Sequence, residues 1–495
     1  MLKGFAGLAS IAAAISLKVG KDEHYALELL ELGRCVIAGL LLEMRTDISD
    51  LKQQHSVLAA EFESLRDELD SPSSGTPSLG DTVLSWKSQA NRRFKADQKF
   101  AEVIKKIRHQ PGFQNFLLPP ACHELMAATD QGPIVIINVS SYRCDAFLVE
   151  HHQIRVLPLP NLRVEELNEK VQQLSVGSTS ILQWLWDVAA GPVLDALGYQ
   201  CPPSNNNLPR VWWIPTGALS HFPIHAAGFY TKGSTKTVLD RVMSSYSLSI
   251  KALVFGRQRS VRKPRESTTE RALLVAMRDT PCLRTIPFAN REVEMLANLC
   301  PSLQLKPVMP LQRREEVLAH LGACKIFHFA GHGRLDPQDP SRSCLLLEDW
   351  KENPLTVGHL RDCKIQESSP FLGYLSACSS SANKVDRLVD EGIHLASAFQ
   401  LAGFRHVIGT LWEVSDSHCV GVAKVVYETI RDEGMTDIAI CRGLHRAVKA
   451  LRDGHIDVTR EARDAELSDE ELCDESCGTT IESPLSWAPY IHFGV

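Results

Sequence analysis

The sequence predicts an α/β protein in which a helical N-terminal region precedes two series of alternating strands and helices. Three observations carry this. Apolar residues recur at helical spacing through roughly the first 130 residues. From Pro133 onward, short continuous apolar runs replace that period. Those runs then alternate with helical stretches to the end of the chain, the pattern of a mainly parallel sheet covered by helices.

The 495 residues are 44% hydrophobic, enough for a large core without disulfide or metal staples. With 53 basic and 59 acidic residues the net charge is −6, which excludes a globally basic nucleic-acid binder; no nucleic-acid partner is expected. No apolar run is long enough to span a membrane. The 14 cysteines are scattered, with no C-x-x-C pair. That fits neither a disulfide framework nor a zinc site, so a reducing, cytoplasmic setting with mostly buried thiols is predicted.

The apolar run 4–17 has the length of a signal-peptide core, but it is rich in Ala and Gly and no A-x-A site follows. Phe5, Leu8, Ile11, Ala12 and Ile15 fall at helical spacing, which predicts the first helix of a pair. Tyr25, Leu29, Leu32, Val36 and Leu40 give the second helix its stripe. The pair has about the length of one tetratricopeptide-type unit, roughly 34 residues. Alone it cannot bury both faces, so it packs on the rest of the chain or belongs to a longer array. Further helices are predicted over 47–69 and 81–108, either side of a Ser/Pro/Gly linker at 71–80. Residues 1–130 thus form the helical region.

The first strand series spans 133–255, with strands at 134–139 (IVIINV), 144–149, 154–157 and 211–215 (VWWIP) and helices at 164–174 and 180–197. A basic linker, 256–270, carries Arg257, Arg259, Arg262, Lys263 and Arg265 without aromatic residues, and reads as a solvated loop. The second series, 271–495, has strands at 272–276, 325–330 (KIFHFA), 371–377 (FLGYLSA) and 406–412. Helices are predicted at 291–299, 313–321, 392–401, 419–431 and 436–452. The acidic stretch 461–477 reads as an insertion before the last strand.

In open α/β sheets reacting groups gather at the carboxyl ends of neighbouring strands. Strand 325–330 ends in Gly331-His332-Gly333 and strand 371–377 in Cys378-Ser379-Ser380. The intervening chain is long enough for one crossover, which would bring His332 and Cys378 near hydrogen-bond range. Imidazole would then assist thiolate formation or protonate a leaving group. Gly331 and Gly333 would let the backbone turn sharply, and the N–H groups of Gly333 and Cys378 would form an oxyanion hole. A packing cysteine beside an ordinary strand-end histidine remains open on these residues alone. His328 and His332 stand about 13 Å apart along a strand, too far to share a metal. No H-E-x-x-H, phosphate-loop, dinucleotide or G-x-S-x-G motif occurs, so neither metal nor cofactor is predicted. His221 and His225 read as structural.

The runs 328–333 (HFAGHG) and 375–380 (LSACSS) resemble the paired His-Gly and Ala-Cys motifs of CHAT-domain proteins, caspase- and separase-like cysteine peptidases often associated with tetratricopeptide repeats. The runs 215–227 (PTGALSHFPIHAA), 390–393 (DEGI), 402–405 (AGFR), 410–416 (TLWEVSD) and 487–494 (WAPYIHFG) extend the resemblance in order. It implies a caspase-like αβα sandwich over 271–495 beside a degenerate companion α/β subdomain over 133–255. His332 would be general base and acid and Cys378 the nucleophile, hydrolysing peptide bonds of a protein substrate through a thioester without a cofactor. The N-terminal helices would recruit substrate or a protein activator. Asp390, Glu391 and Asp416 would bind substrate by selecting a basic side chain, although Asp390 reads equally well as a helix N-cap. Gly331 departs from the small polar or β-branched residue usual before the histidine, a change expected to affect loop flexibility. The alternative is a catalytically silent scaffold or signalling module on the same fold. No oligomeric state is assigned.

Overall fold

The computed structural model describes residues 7–34, 48–70, 83–114, 116–118, 122–174, 179–204, 207–258, 270–336, 340–362, 370–377, 395–456 and 483–495. The predicted linker 71–80, residues 259–269 of the predicted linker 256–270, the acidic stretch 461–477, and Cys378, Asp390 and Glu391 lie outside them. The chain divides into two compact units, one formed by residues 1–38 with 122–495 and the other by residues 39–121.

The larger unit opens with a hairpin of α1 (Leu8–Lys18) and α2 (Glu23–Gly33). Gly20 takes the left-handed conformation that ends α1 (φ 79°), and the Lys21 N–H donates back to Ser16 O at 3.0 Å. Asp22 caps α2 by accepting from the Tyr25 N–H at 2.8 Å. The buried face differs from the predicted one. Ala9, Ala13, Ala26, Leu27 and Leu30 are sealed, whereas Leu8 and Leu32 are 54% and 53% exposed. Close approach is the reason: a Cβ on Gly33 would sit 2.7 Å from the Ala9 Cβ, so small side chains line the contact. The sealed face packs on Ile134, Ile136, Phe147 and Trp212 of the sheet, and Asn138 Nδ2 donates to Ser10 O at 3.0 Å.

The smaller unit holds α3 (Ser49–Gln54), α4 (Ser56–Asp70) and α5 (Val83–Arg108). The single helix expected over 47–69 is thus two, broken at His55, whose ring packs edge-on against Phe113. Phe62 stacks on Phe100 with centroids 5.0 Å apart, and Leu65, Ala96, Val103 and Ile107 close that core.

The sheet strands are β1 (Ile134–Asn138), β2 (Asp145–Val149), β3 (Ile154–Pro158), β4 (Arg210–Pro215), β5 (Met243–Tyr246), β6 (Arg271–Ala276), β7 (Lys306–Val308), β8 (Ile326–Gly331), β12 (Leu372–Ala377), β13 (His406–Thr410) and β14 (Tyr490–Gly494). A small second sheet joins β9 (Gly333–Arg334), β10 (Cys344–Leu345) and β11 (Leu355–Thr356). Among the described residues the main sheet has eleven strands, in the order β3-β2-β1-β4-β5-β14-β13-β12-β8-β6-β7. Both predicted strand series therefore lie in one sheet, joined by the terminal strand. β14 pairs antiparallel with β13 and parallel with β5. The edge strand β3 ends in Pro158, which offers no N–H to a further strand.

The helices that matter for the site are α6 (Val164–Gln173), α7 (Ile250–Gln258), α8 (Phe288–Leu299), α9 (Arg314–Leu321), α10 (Leu395–Ala402), α11 (Asp416–Glu433) and α12 (Asp437–Arg452). Strands buried on both faces explain the continuous apolar runs. Phe327 and Phe329 of β8 meet Phe399 of α10 and Val317 of α9 on one face. On the other, Ile326 and Ala330 meet Val293 of α8, Val426 of α11 and Val448 of α12. Each fully buried phenylalanine contributes about 1.5–3 kcal/mol. Arg257, expected in a solvated loop, lies in α7 over the Trp212 ring at 4.6 Å. Among the described residues no helix is long and apolar enough to cross a membrane.

A hydrogen-bonded line locks β14 in place. His492 Nδ1 lies 2.9 Å from Ser245 Oγ, His492 Nε2 lies 3.0 Å from His406 Nδ1, and His406 Nε2 lies 2.9 Å from Asp437 Oδ1. Asp437 also takes two hydrogen bonds from Arg405, each 2.6 Å. Burial pushes His406 down to about 4, so the line runs through neutral imidazoles.

Candidate active site

β8 and β12 are parallel neighbours near the centre of their half of the sheet, with six registered pairs from Ile326↔Leu372 to Gly331↔Ala377. Their carboxyl ends therefore stand side by side. Thr410 of β13 reinforces the end of β12 by donating from Oγ1 to Ala377 O at 3.0 Å.

His332 follows β8 directly and is half-buried. Its Nε2 lies 2.8 Å from Arg284 O in the loop between β6 and α8. A carbonyl oxygen only accepts, so Nε2 carries a proton, which leaves Nδ1 as the nitrogen able to exchange one. The Arg284 guanidinium pairs with Glu413 beyond β13. After His332 the chain enters β9. There the Leu346 N–H donates to His332 O at 2.9 Å, and Gly333 lies opposite Leu345. In an antiparallel ladder this makes Gly333 and Leu345 a non-hydrogen-bonded pair, so the Gly333 N–H faces away from β10.

Gly331 has a different role from the expected one. It lies inside β8 and is buried, and an added Cβ would come within 2.8 Å of Met277 Cβ and of Phe329 Cζ. Lack of space, rather than a sharp turn, requires glycine there.

Beneath the strand ends is a cavity of about 130 Å³ whose lining includes Arg284, Glu292, Gly331, Ser376 and Asp416. Asp416, predicted from sequence, is the first residue of α11 and is half-buried. Glu292 was not predicted. Its position on α8 fits an amphipathic helix whose acidic residues face solvent, yet it is only 2% exposed. Glu292 Oε2 accepts from Ser376 Oγ at 3.1 Å, and Oε1 lies 3.0 Å from His328 Nε2. One carboxylate thus joins β8 and β12 just below their ends. His328 stacks on Tyr374 at 4.7 Å and approaches the Tyr427 hydroxyl at 3.2 Å. Burial, and then neighbouring charge including Glu292, pushes both phenols well above their ordinary range, so they stay protonated. The one sequence signal for Ser376 is its place two residues before Cys378.

Two buried thiols are held protonated: burial pushes Cys300 up to about 11 and Cys324 up to about 12. His225 is enclosed, with Nδ1 2.9 Å from the Tyr246 hydroxyl.

The CHAT domain family model matches residues 179–495, well over half of the chain. Among solved structures, the chain is similar to the Arg-specific cysteine proteinase gingipain R, RgpB, of Porphyromonas gingivalis. In its complex of pro- and mature domains the match has 14% identity and a TM-score of 0.38, over 62% of this chain and 69% of that one. It is also similar to Saccharomyces cerevisiae separase in its complex with securin, with 12% identity and a TM-score of 0.47. That match covers 98% of this chain and 37% of the separase chain. No curated protein sequence matches the chain.

Proposed function

Because the chain belongs to the CHAT domain family, we propose that it is a cysteine endopeptidase in which His332 and Cys378 act together on protein substrates. One observation carries this reading. The last registered pair of β8 and β12, Gly331↔Ala377, precedes His332 on one strand and Cys378 on the other by a single residue. With the Nε2 proton committed to Arg284 O, Nδ1 is the nitrogen that takes the proton of the Cys378 thiol. The thiolate attacks the substrate carbonyl carbon, and the oxyanion is received by the N–H groups of Gly333 and Cys378. The imidazolium gives its proton to the departing amine and leaves a thioester. Water, deprotonated by Nδ1, then releases the acid and restores the thiol. No cofactor takes part.

In the cavity lining Glu292 and Asp416 stand against one cation, Arg284, whose guanidinium is paired with Glu413, a balance suited to a basic side chain next to the scissile bond. Asp390 and Glu391 would add to the same charge. Recruitment of a protein substrate or activator falls to the N-terminal hairpin, where Leu8, Val19 and Leu32 are 54%, 67% and 53% exposed. The test compares protein N-termini generated in cells by the wild type and by Cys378→Ala. New termini following basic residues are expected with the wild type only; the same termini with both proteins would refute the peptidase reading.

A further inference from the structure

Two loops beside the candidate active site bring a thiol and an amine into reacting distance. Cys282, in the loop between β6 and α8, places Sγ 2.8 Å from Nζ of Lys351, in the turn between β10 and β11. Both residues are solvent-exposed. The loops are held in register by Trp350, whose Nε1 donates to Pro281 O at 3.2 Å. Cys282 itself is held at φ 66°, a conformation non-glycine residues seldom adopt. Cys201 is also exposed, whereas Cys144, Cys300, Cys324, Cys344, Cys419 and Cys441 are buried.

We infer that Cys282 and Lys351 form a peroxide-responsive crosslinking site. The sulfur favours the ammonium form of Lys351, and thiolate is the form of a cysteine that reacts with peroxide. Thiolate attacks one oxygen of hydrogen peroxide; an S–O bond forms, the O–O bond breaks, and the departing hydroxide takes a proton from Lys351 and leaves as water. The products are a sulfenic acid on Cys282 and a free amine on Lys351. The sulfur has been oxidised by two electrons and the peroxide reduced. The amine nitrogen, already inside the roughly 3–3.5 Å of a near-attack arrangement, displaces the sulfenic hydroxyl. An S–N bond forms, and the hydroxyl and one amine proton depart as a second water. The resulting sulfenamide ties together the two loops, and thiols reverse it. Where the peptidase reading holds, the tie also pins Arg284 O, the acceptor that fixes the His332 tautomer; the crosslink itself does not depend on that reading.

The test uses the full chain carrying Cys378→Ala, so its outcome is independent of proteolysis, which is measured separately on the wild type. After hydrogen peroxide treatment, peptide mapping is expected to find Cys282 and Lys351 joined in a pair lighter than the two reduced peptides by two hydrogens. Dithiothreitol should release the pair. Cys282→Ser and Lys351→Arg should each abolish it, with urea midpoints unchanged because both side chains are exposed. Cys201 should form no lysine link. Cys282 left unmodified, or oxidised to sulfinic acid without a link to Lys351, would overturn the proposal.

Discussion

Glu292→Gln and Glu292→Ala separate what this side chain holds together from what its charge does. The carboxylate is 2% exposed and touches both central strands, through Ser376 Oγ at 3.1 Å and His328 Nε2 at 3.0 Å. Glutamine keeps the hydrogen bond with Ser376, whose hydroxyl can donate to its carbonyl oxygen or turn to accept from its amide. Its stability cost is therefore about 1 kcal/mol, the scale of one exchanged hydrogen bond. Alanine leaves the Ser376 hydroxyl without its acceptor and opens a void, at about 2–5 kcal/mol. On basic peptides, losing the charge forfeits a charge-assisted bond of about 1.5–3 kcal/mol, which is roughly a 10- to 150-fold drop in kcat/KM. Urea denaturation reads the first quantity. Cleavage of matched peptides with a basic or a neutral residue before the scissile bond reads the second. Equal stability of the two variants would refute the bridge between strands. A glutamine variant that keeps its full preference for basic peptides would refute the specificity role.

Two further outcomes follow from the packing. Burial pushes His406 and His445 down to about 4 and His225 down to about 3. The ordinary histidine value, and that of the unfolded chain, is about 6.5. Below pH 6.5 the unfolded chain takes up protons that the folded one refuses, so stability present above pH 6.5 is lost as pH falls toward 4, by up to about 1.4 kcal/mol per pH unit for each histidine. Urea midpoints are expected to drop between pH 7 and pH 5, and a flat profile would contradict the neutral line through His406 and His492. Gly331→Ala should destabilise by about 1–3 kcal/mol, because its Cβ has no room beside Met277 and Phe329. An unchanged midpoint would show that the strand end relaxes freely.

The elements that sequence conveys well are those whose pattern reports their own burial. The runs at 134–139, 325–330 and 371–377 are apolar at successive positions because each strand is covered on both faces, and all three are strands. Helices packed by one broad stripe, such as α11 and α12, are legible for the same reason. The N-terminal hairpin misleads: its larger apolar side chains mark a face left outward, while alanines make the close contact. Arg257 misleads in the opposite sense, since a basic run in sequence says nothing of the Trp212 ring beneath it. At the candidate site, His332 and Asp416 were legible from motif and position. Glu292 was not, because a buried acid and a solvent-facing acid look alike at a helical position until their neighbours are known.

By itself the sequence determined the α/β class, the two strand series, the helical start and the two strands, β8 and β12, whose carboxyl ends stand side by side. These are local properties: period, burial on two faces, and residues that close a strand. Tertiary structure alone decided that both series form one sheet through β14, that Arg284 O orients His332, and that Glu292 joins β8 to β12. Each of these depends on groups distant in sequence meeting at hydrogen-bond range, and chain order does not encode such distances.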